Sequence, residues 1–98
     1  MSTVIMQRFD GLTPDQYDQL RELVRWDRDA PAGMAYHVAS YQEDVLRMTD
    51  VWDSEEQFDD FVRTRIVPGL QELGIDGFPE SIVTAVHDEY NRAANSSA

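Results

Sequence analysis

Few side chains in this 98-residue chain could carry a reaction. There is no cysteine, no lysine and only two histidines, His37 and His87. Thiolate chemistry, disulfides and Cys-ligated zinc are therefore excluded, and so is Schiff-base chemistry on a lysine. No serine lies in a G-x-S-x-G context, and the glycine-rich fingerprints of phosphate and dinucleotide sites are absent. An imidazole working with a carboxylate remains. His37 lies in an alternating stretch, Met34–Tyr41, and Asp50 in the next, Val45–Asp53. If the two form a hairpin with Tyr41 opposite Leu46, then His37 falls opposite Asp50 and Ala35 opposite Trp52. Pairing Tyr41 with Val45 instead would put His37 opposite Thr49 and split the group.

In the first register His37, Asp50, Trp52, Met48 and Tyr41 share one face. An apolar wall with one imidazole and one carboxylate suits a small hydrophobic or aromatic ligand. His37 would give or take a proton while Asp50 orients its ring. Trp52 would stack on the ligand, with Met48 and Tyr41 beside it. Arg8 on the first strand could meet an anionic ligand, or be a solvated strand end. The plainer alternative stands beside this one: His37 and Asp50 satisfy each other's hydrogen bonds in an interface, and Trp52 fills space there. Two histidines without ligand spacing give no metal site, and nothing calls for a cofactor.

The elements that position these residues follow from periodicity and caps. Thr3–Phe9 alternates as a strand and ends at the Asp10-Gly11 turn. Thr13, Pro14 and Gln16 form a capping box with proline at the first helical position. Tyr17, Leu20, Leu23 and Val24 then line one helical face that should end near Trp26. Residues 27–33 make a loop, residues 34–41 a strand and residues 42–44 a short polar connection. Val45–Asp53 is the third strand, and its period changes from 2 to 3.6 at Ser54, which with Gln57 has the form of a second capping box. Phe58, Phe61, Val62 and Ile66 continue as a helical stripe. Pro68-Gly69 predicts a kink or break with a last turn through Leu73, and Gly74 fits the position after the helix end. Residues 81–88 read as a fourth strand. Residues 1–88 make one domain, and residues 89–98 a polar, flexible tail.

The order β-α-β-β-α-β is the ferredoxin-like α+β arrangement. Right-handed crossovers place two helices on one face of a four-stranded antiparallel sheet. Strand 1 nevertheless offers Val4 and Met6 on one face and Ile5 and Phe9 on the other. Strand 3 offers Leu46, Met48 and Trp52 against Val45 and Val51, and strand 4 Ile82 and Val86 against Val83. Two helices cannot cover both faces, so the open face should meet its own counterpart in a homodimer. Burying ~800 Å² of apolar surface per subunit would contribute roughly 20 kcal/mol before entropic costs. The pattern places the His37 group on that open face.

Eight basic and 19 acidic residues give a formal charge of −11. Such a balance repels phosphate backbones and anionic lipid, so neither nucleic acid nor membrane is an expected partner. No apolar run reaches the roughly 20 residues of a membrane span, and no signal peptide is evident. The expectation is a cytoplasmic protein.

With Asp50, Trp52, Ser54, Phe58 and Phe61 at the strand–helix junction, Val45–Val62 resembles the corresponding segment of antibiotic-biosynthesis-monooxygenase-like proteins. Gly33 and His37 are similar to positions in small members of that branch. The resemblance spans about residues 3–88 and implies the dimeric α+β barrel superfamily. Its members include cofactor-independent oxygenases, haem-degrading enzymes, lactone isomerases and stress-responsive proteins. The haem-degrading type uses an Asn on strand 1, a Trp near strand 3 and a His on helix 2. Here strand 1 has Gln7 and residues 54–73 contain no histidine, so only Trp52 matches.

Two functions follow as expectations. One is a homodimeric barrel binding a small hydrophobic molecule, as a cofactor-free monooxygenase or isomerase. The other is a non-catalytic dimeric module. A void of several hundred Å³ reaching His37 favours the first, and an interior filled by Met48, Trp52 and their neighbours favours the second.

Overall fold

The computed structural model describes residues 2–90 and 92. Strand β1 (Thr3–Asp10) leads into helix α1 (Pro14–Val24), followed by the hairpin β2 (Met34–Gln42) and β3 (Val45–Trp52). Helix α2 (Glu55–Phe61), a π-helical turn (Val62–Ile66) and helix α3 (Val67–Glu72) run on from one another, and β4 (Glu80–Ala85) closes the fold. The sheet is antiparallel throughout, in the order β2-β3-β1-β4. This is the expected ferredoxin-like α+β fold. Most of the expected tail, residues 91 and 93–98, lies outside the described residues.

The first cap acts as read. Thr13 Oγ1 accepts the Gln16 N–H at 3.1 Å, and Gln16 Oε1 accepts the Thr13 N–H at 2.9 Å, which satisfies two donors of the first turn of α1. At Ser54 only half the box forms. Its Oγ accepts the Gln57 N–H at 3.2 Å but donates to Gln57 Oε1 at 3.0 Å, so the Gln57 side chain does not reach back to the cap backbone. After α3, Gly74 N–H reaches Gln71 O and Ile75 N–H reaches Leu70 O, with Gly74 at φ 68°. That is a Schellman ending, which needs a residue at ease in the left-handed region.

Of the expected kink or break at Pro68, the break does not occur. The turn before it widens instead, and Val67 N–H bonds to Val62 O, five residues back. The extra residue in that turn absorbs the missing N–H and the ring's steric demand one turn back. The helical path therefore continues, and Gly69 is carried against α1. A Cβ on Gly69 would lie 2.9 Å from Val24 Cγ2 and 3.0 Å from Leu20 Cδ1, so the close approach of α3 to α1 depends on its absence.

The hairpin adopts the first of the two registers, Tyr41 opposite Leu46 and His37 opposite Asp50. A bulge at its open end changes one detail: Met34, not Ala35, pairs with Trp52. The two-residue turn is Glu43-Asp44, with Glu43 at φ 56°.

The larger correction concerns the sheet faces. Ile5, Phe9, Leu46, Asp50 and Trp52 point toward the helices, and all are buried. Trp52 packs on Phe58 and Phe61 of α2, with ring centroids 5.6 and 5.4 Å away. The His37 group is thus on the helix-covered face, not the open one. The physical reason is size: Ile5, Phe9, Leu46 and Trp52 outweigh Val4, Met6, Val45 and Val51, so the helices cover the bulkier set. The face left uncovered carries Met6, Tyr36, Val38 and Ile82, each between 42% and 61% exposed. No helix among the described residues is long and apolar enough to cross a membrane.

Gly33 precedes β2 at φ 91°, and a Cβ there would lie 2.9 Å from Gln57 Cβ and closer still to the Gln57 amide. Gly33→Ala should therefore cost about 1–3 kcal/mol, read as a lower denaturation midpoint at unchanged slope. An unchanged midpoint would contradict this placement of Gly33 against α2.

Candidate functional site

The site is built outward from β3. Asp50 is 3% exposed and is the buried charged group among the described residues. Its two oxygens are divided between two donors. Oδ1 takes His37 Nδ1 at 2.6 Å, across the hairpin. Oδ2 takes the Trp52 indole N–H at 3.1 Å, from the next residue on the same face. An ionised carboxylate only accepts, so Nδ1 of His37 carries the proton, and in the neutral ring Nε2 is left with a lone pair.

That lone pair meets α1. The Tyr17 hydroxyl lies 2.8 Å from His37 Nε2, and the two rings are nearly parallel. Trp26, just beyond the end of α1, stands edge-on to both rings with centroids 5.6 Å away. Burial pushes the Tyr17 phenol up to about 12; the Asp50 and Asp18 carboxylates add to this, while Arg21 opposes it. The phenol therefore keeps its proton and donates it to His37. Asp50, His37 and Tyr17 form one hydrogen-bonded line from the interior to the inner face of α1.

A mainly apolar cavity of about 50 Å³ opens beside this line. Met48, Phe58 and Phe61 form part of its floor, and Val62 and Ile66 of the π-helical turn border it. Phe78 and Pro79, on the loop before β4, form an outer wall, with Phe78 half exposed. Gln7, Tyr17, His37 and Asp50 supply the polar lining.

Of the sequence candidates, the structure brings His37, Asp50 and Met48 to the cavity. Trp52 is fully buried in the core behind Phe58, Phe61 and Asp50 and does not line the cavity, so it does not present a face to a ligand. Tyr41 shares the sheet face, but its hydroxyl donates to Leu12 O at 2.7 Å and ties down the segment between β1 and α1. Burial raises the Tyr41 phenol as well. Arg8 points from the opposite face, where it pairs with Asp10 at 2.8 Å, which raises its guanidinium above the ordinary value. His87 follows β4, at the opposite edge of the sheet from β2. Among the described residues, no three His, Asp or Glu side chains gather as a metal site would require.

The residue missed from the sequence is Tyr17. At helical spacing it reads as core, yet a buried tyrosine hydroxyl needs a partner. A phenol on the apolar face of α1 above a sheet that holds a histidine was the available signal.

No protein-family model matches the sequence, and no curated protein does. Solved structures do match in fold. A proposed antibiotic biosynthesis monooxygenase from Chloroflexus aurantiacus is similar with a TM-score of 0.66 at 16% identity, over 93% of this chain and 98% of that one. SnoaB, a cofactor-independent oxygenase from Streptomyces nogalater, gives 0.64 at 11% identity over 90% and 94%. A protein of unknown function from Nitrosomonas europaea gives 0.70 at 12% over 92% and 93%. The chain has the fold of the antibiotic-biosynthesis-monooxygenase-like structures.

Tyr17 supplies a pH test. In the unfolded chain a phenol loses its proton near its ordinary value of 10, whereas the folded Tyr17 holds it to about 12. Between those values the unfolded state binds fewer protons, so stability falls as pH rises. Chemical denaturation across pH 10–12 should show a steeper loss for the wild type than for Tyr17→Phe. Equal slopes would contradict a buried, hydrogen-bonded Tyr17.

Proposed function

We propose that this protein is a homodimer in which each protomer binds a small, hydrophobic, aromatic-type molecule between its sheet and helices, and acts on it by proton transfer as a cofactor-independent monooxygenase or isomerase. The observation that carries the reading is the line Asp50–His37–Tyr17 ending on an apolar cavity. In such a line the Tyr17 oxygen takes a proton from the ligand while its own proton passes to His37 Nε2. Asp50 stabilises the resulting imidazolium, so no free tyrosinate has to form. A ligand that has lost a proton to this line is electron-rich. It can reduce dioxygen directly, or regain the proton at another atom, which is isomerisation. The likeness in fold to SnoaB supports the oxygenase branch.

The dimer rests on the uncovered sheet face, where Met6, Tyr36, Val38 and Ile82 form an apolar surface with no helix over it. The site then lies within one protomer, and the partner's contribution is to cover the back of the sheet.

A second reading, a non-catalytic dimeric module, is favoured by one observation. The cavity, at about 50 Å³, is well below the roughly 300–1,000 Å³ of ordinary ligand sites. In that reading the Asp50, His37 and Tyr17 groups only satisfy one another.

Oxygen uptake and product formation over a panel of phenols and quinols, with native mass measured on the same samples, separate the readings. The first predicts turnover that falls about 10²–10⁴-fold in His37→Ala, with a two-subunit mass retained. Val38→Glu should give single subunits. Unchanged turnover in His37→Ala, or none in the wild type, would leave the module reading standing. A wild-type mass of one subunit at high concentration would remove the dimer.

A further inference from the structure

The charges around the cavity bear on the chemical class of its ligand. We infer that the site between the sheet and α1 selects uncharged ligands and excludes both anionic and cationic ones of the same shape; this rests on the cavity being a ligand site.

Among the described residues, the only ionisable side chains lining the cavity are Tyr17, His37 and Asp50. None of the chain's eight arginines lines it, and the chain has no lysine. An anion in the cavity would face a buried carboxylate with no cation in the lining to offset it, since Tyr17 keeps its proton and His37 Nε2 only accepts its hydrogen bond. Arg21, one turn after Tyr17 on α1, is felt at the Tyr17 phenol but does not line the cavity; its Nη2 lies 3.7 Å from Asp18, and its buried Nε has no hydrogen-bond partner among the described residues. Arg8, which an anionic ligand would have used, is on the other face of the sheet.

A cation fares little better. Asp50 is the one carboxylate at the cavity, and each of its oxygens already holds an N–H donor. Those bonds leave each oxygen a further lone pair but already draw on its charge, so a cation would share Asp50 with His37 and Trp52 while staying desolvated among Met48, Phe58 and Phe61. A neutral ligand meets neither cost. It can accept from or donate to the Tyr17 hydroxyl and the Gln7 amide while its apolar body meets the aromatic lining. An acidic C–H or O–H on such a neutral molecule is also what the proton line can use.

Benzamide, benzoate and benzamidine have one shape and charges of zero, minus one and plus one, so they test charge alone. Calorimetric titration of the wild-type protein at neutral pH, and of Phe78→Ala, whose outer wall is shortened to admit a ring, gives three affinities for each protein. The expected result is that benzamide binds at least about tenfold more tightly than either ion, and that Asp50→Asn narrows its lead over benzoate. Benzoate binding as tightly as benzamide would show Arg21 turning inward, and benzamidine doing so would show Asp50 open to cations. Either result overturns the charge selection and leaves the ligand site standing. If none of the three binds either protein, the ligand site itself fails, and this inference with it.

Discussion

A carboxylate placed among large apolar side chains is costly unless every oxygen is occupied, and that constraint at Asp50 organises this molecule. The group lies on β3, opposite His37 on one side and Ile5 on the other. Removing one partner from such a buried group costs several kcal/mol by common experience, because the charge that stays behind is unpaired. His37 and Trp52 are therefore not optional neighbours. The indole N–H fixes one oxygen, which turns the other to His37, and the imidazole in turn presents its second nitrogen to α1. A polar line leads out of an apolar core because each member has only one direction left in which to satisfy its hydrogen-bonding capacity.

The helices close over that line without sealing it. Gly69 lets α3 press on α1, which holds Tyr17 above the sheet. The widened turn at Val62–Ile66 takes up the strain of Pro68 and borders the cavity with Val62 and Ile66. The same packing leaves Met6, Tyr36, Val38 and Ile82 on the back of the sheet without cover. Site and proposed dimer face are thus opposite sides of one sheet, and the strand alternation ties them: every residue turned toward the helices places its neighbours on the other surface.

Much of this was legible in the residues. The β-α-β-β-α-β order and both N-caps follow from period changes and cap chemistry, and the His37–Asp50 register is one of the two that the short polar connection at residues 42–44 left open. Which face the helices take was not. Period two sorts residues into two sets but does not say which set is covered when both are apolar, and the difference in bulk between Leu46 with Trp52 and Val45 with Val51 decided it. The bulge that pairs Met34 with Trp52 leaves no mark in an alternating stretch. Trp52 was read as a ligand platform because a large aromatic beside a histidine suits that role, yet its N–H serves Asp50 and its ring belongs to the core. Tyr17 was hidden because a tyrosine at helical spacing looks like packing until the position of its hydroxyl is known.

The account turns on His37 being held as an Nδ1–H imidazole whose Nε2 accepts from Tyr17. Nitrogen-15 NMR of the imidazole in the wild-type protein, at a pH where the ring is neutral, tests this directly. The account predicts a single tautomer with Nδ1 protonated and Nε2 bare, and a change in the Nε2 signal on Tyr17→Phe. A ring protonated at Nε2, or one exchanging freely between tautomers, would contradict it.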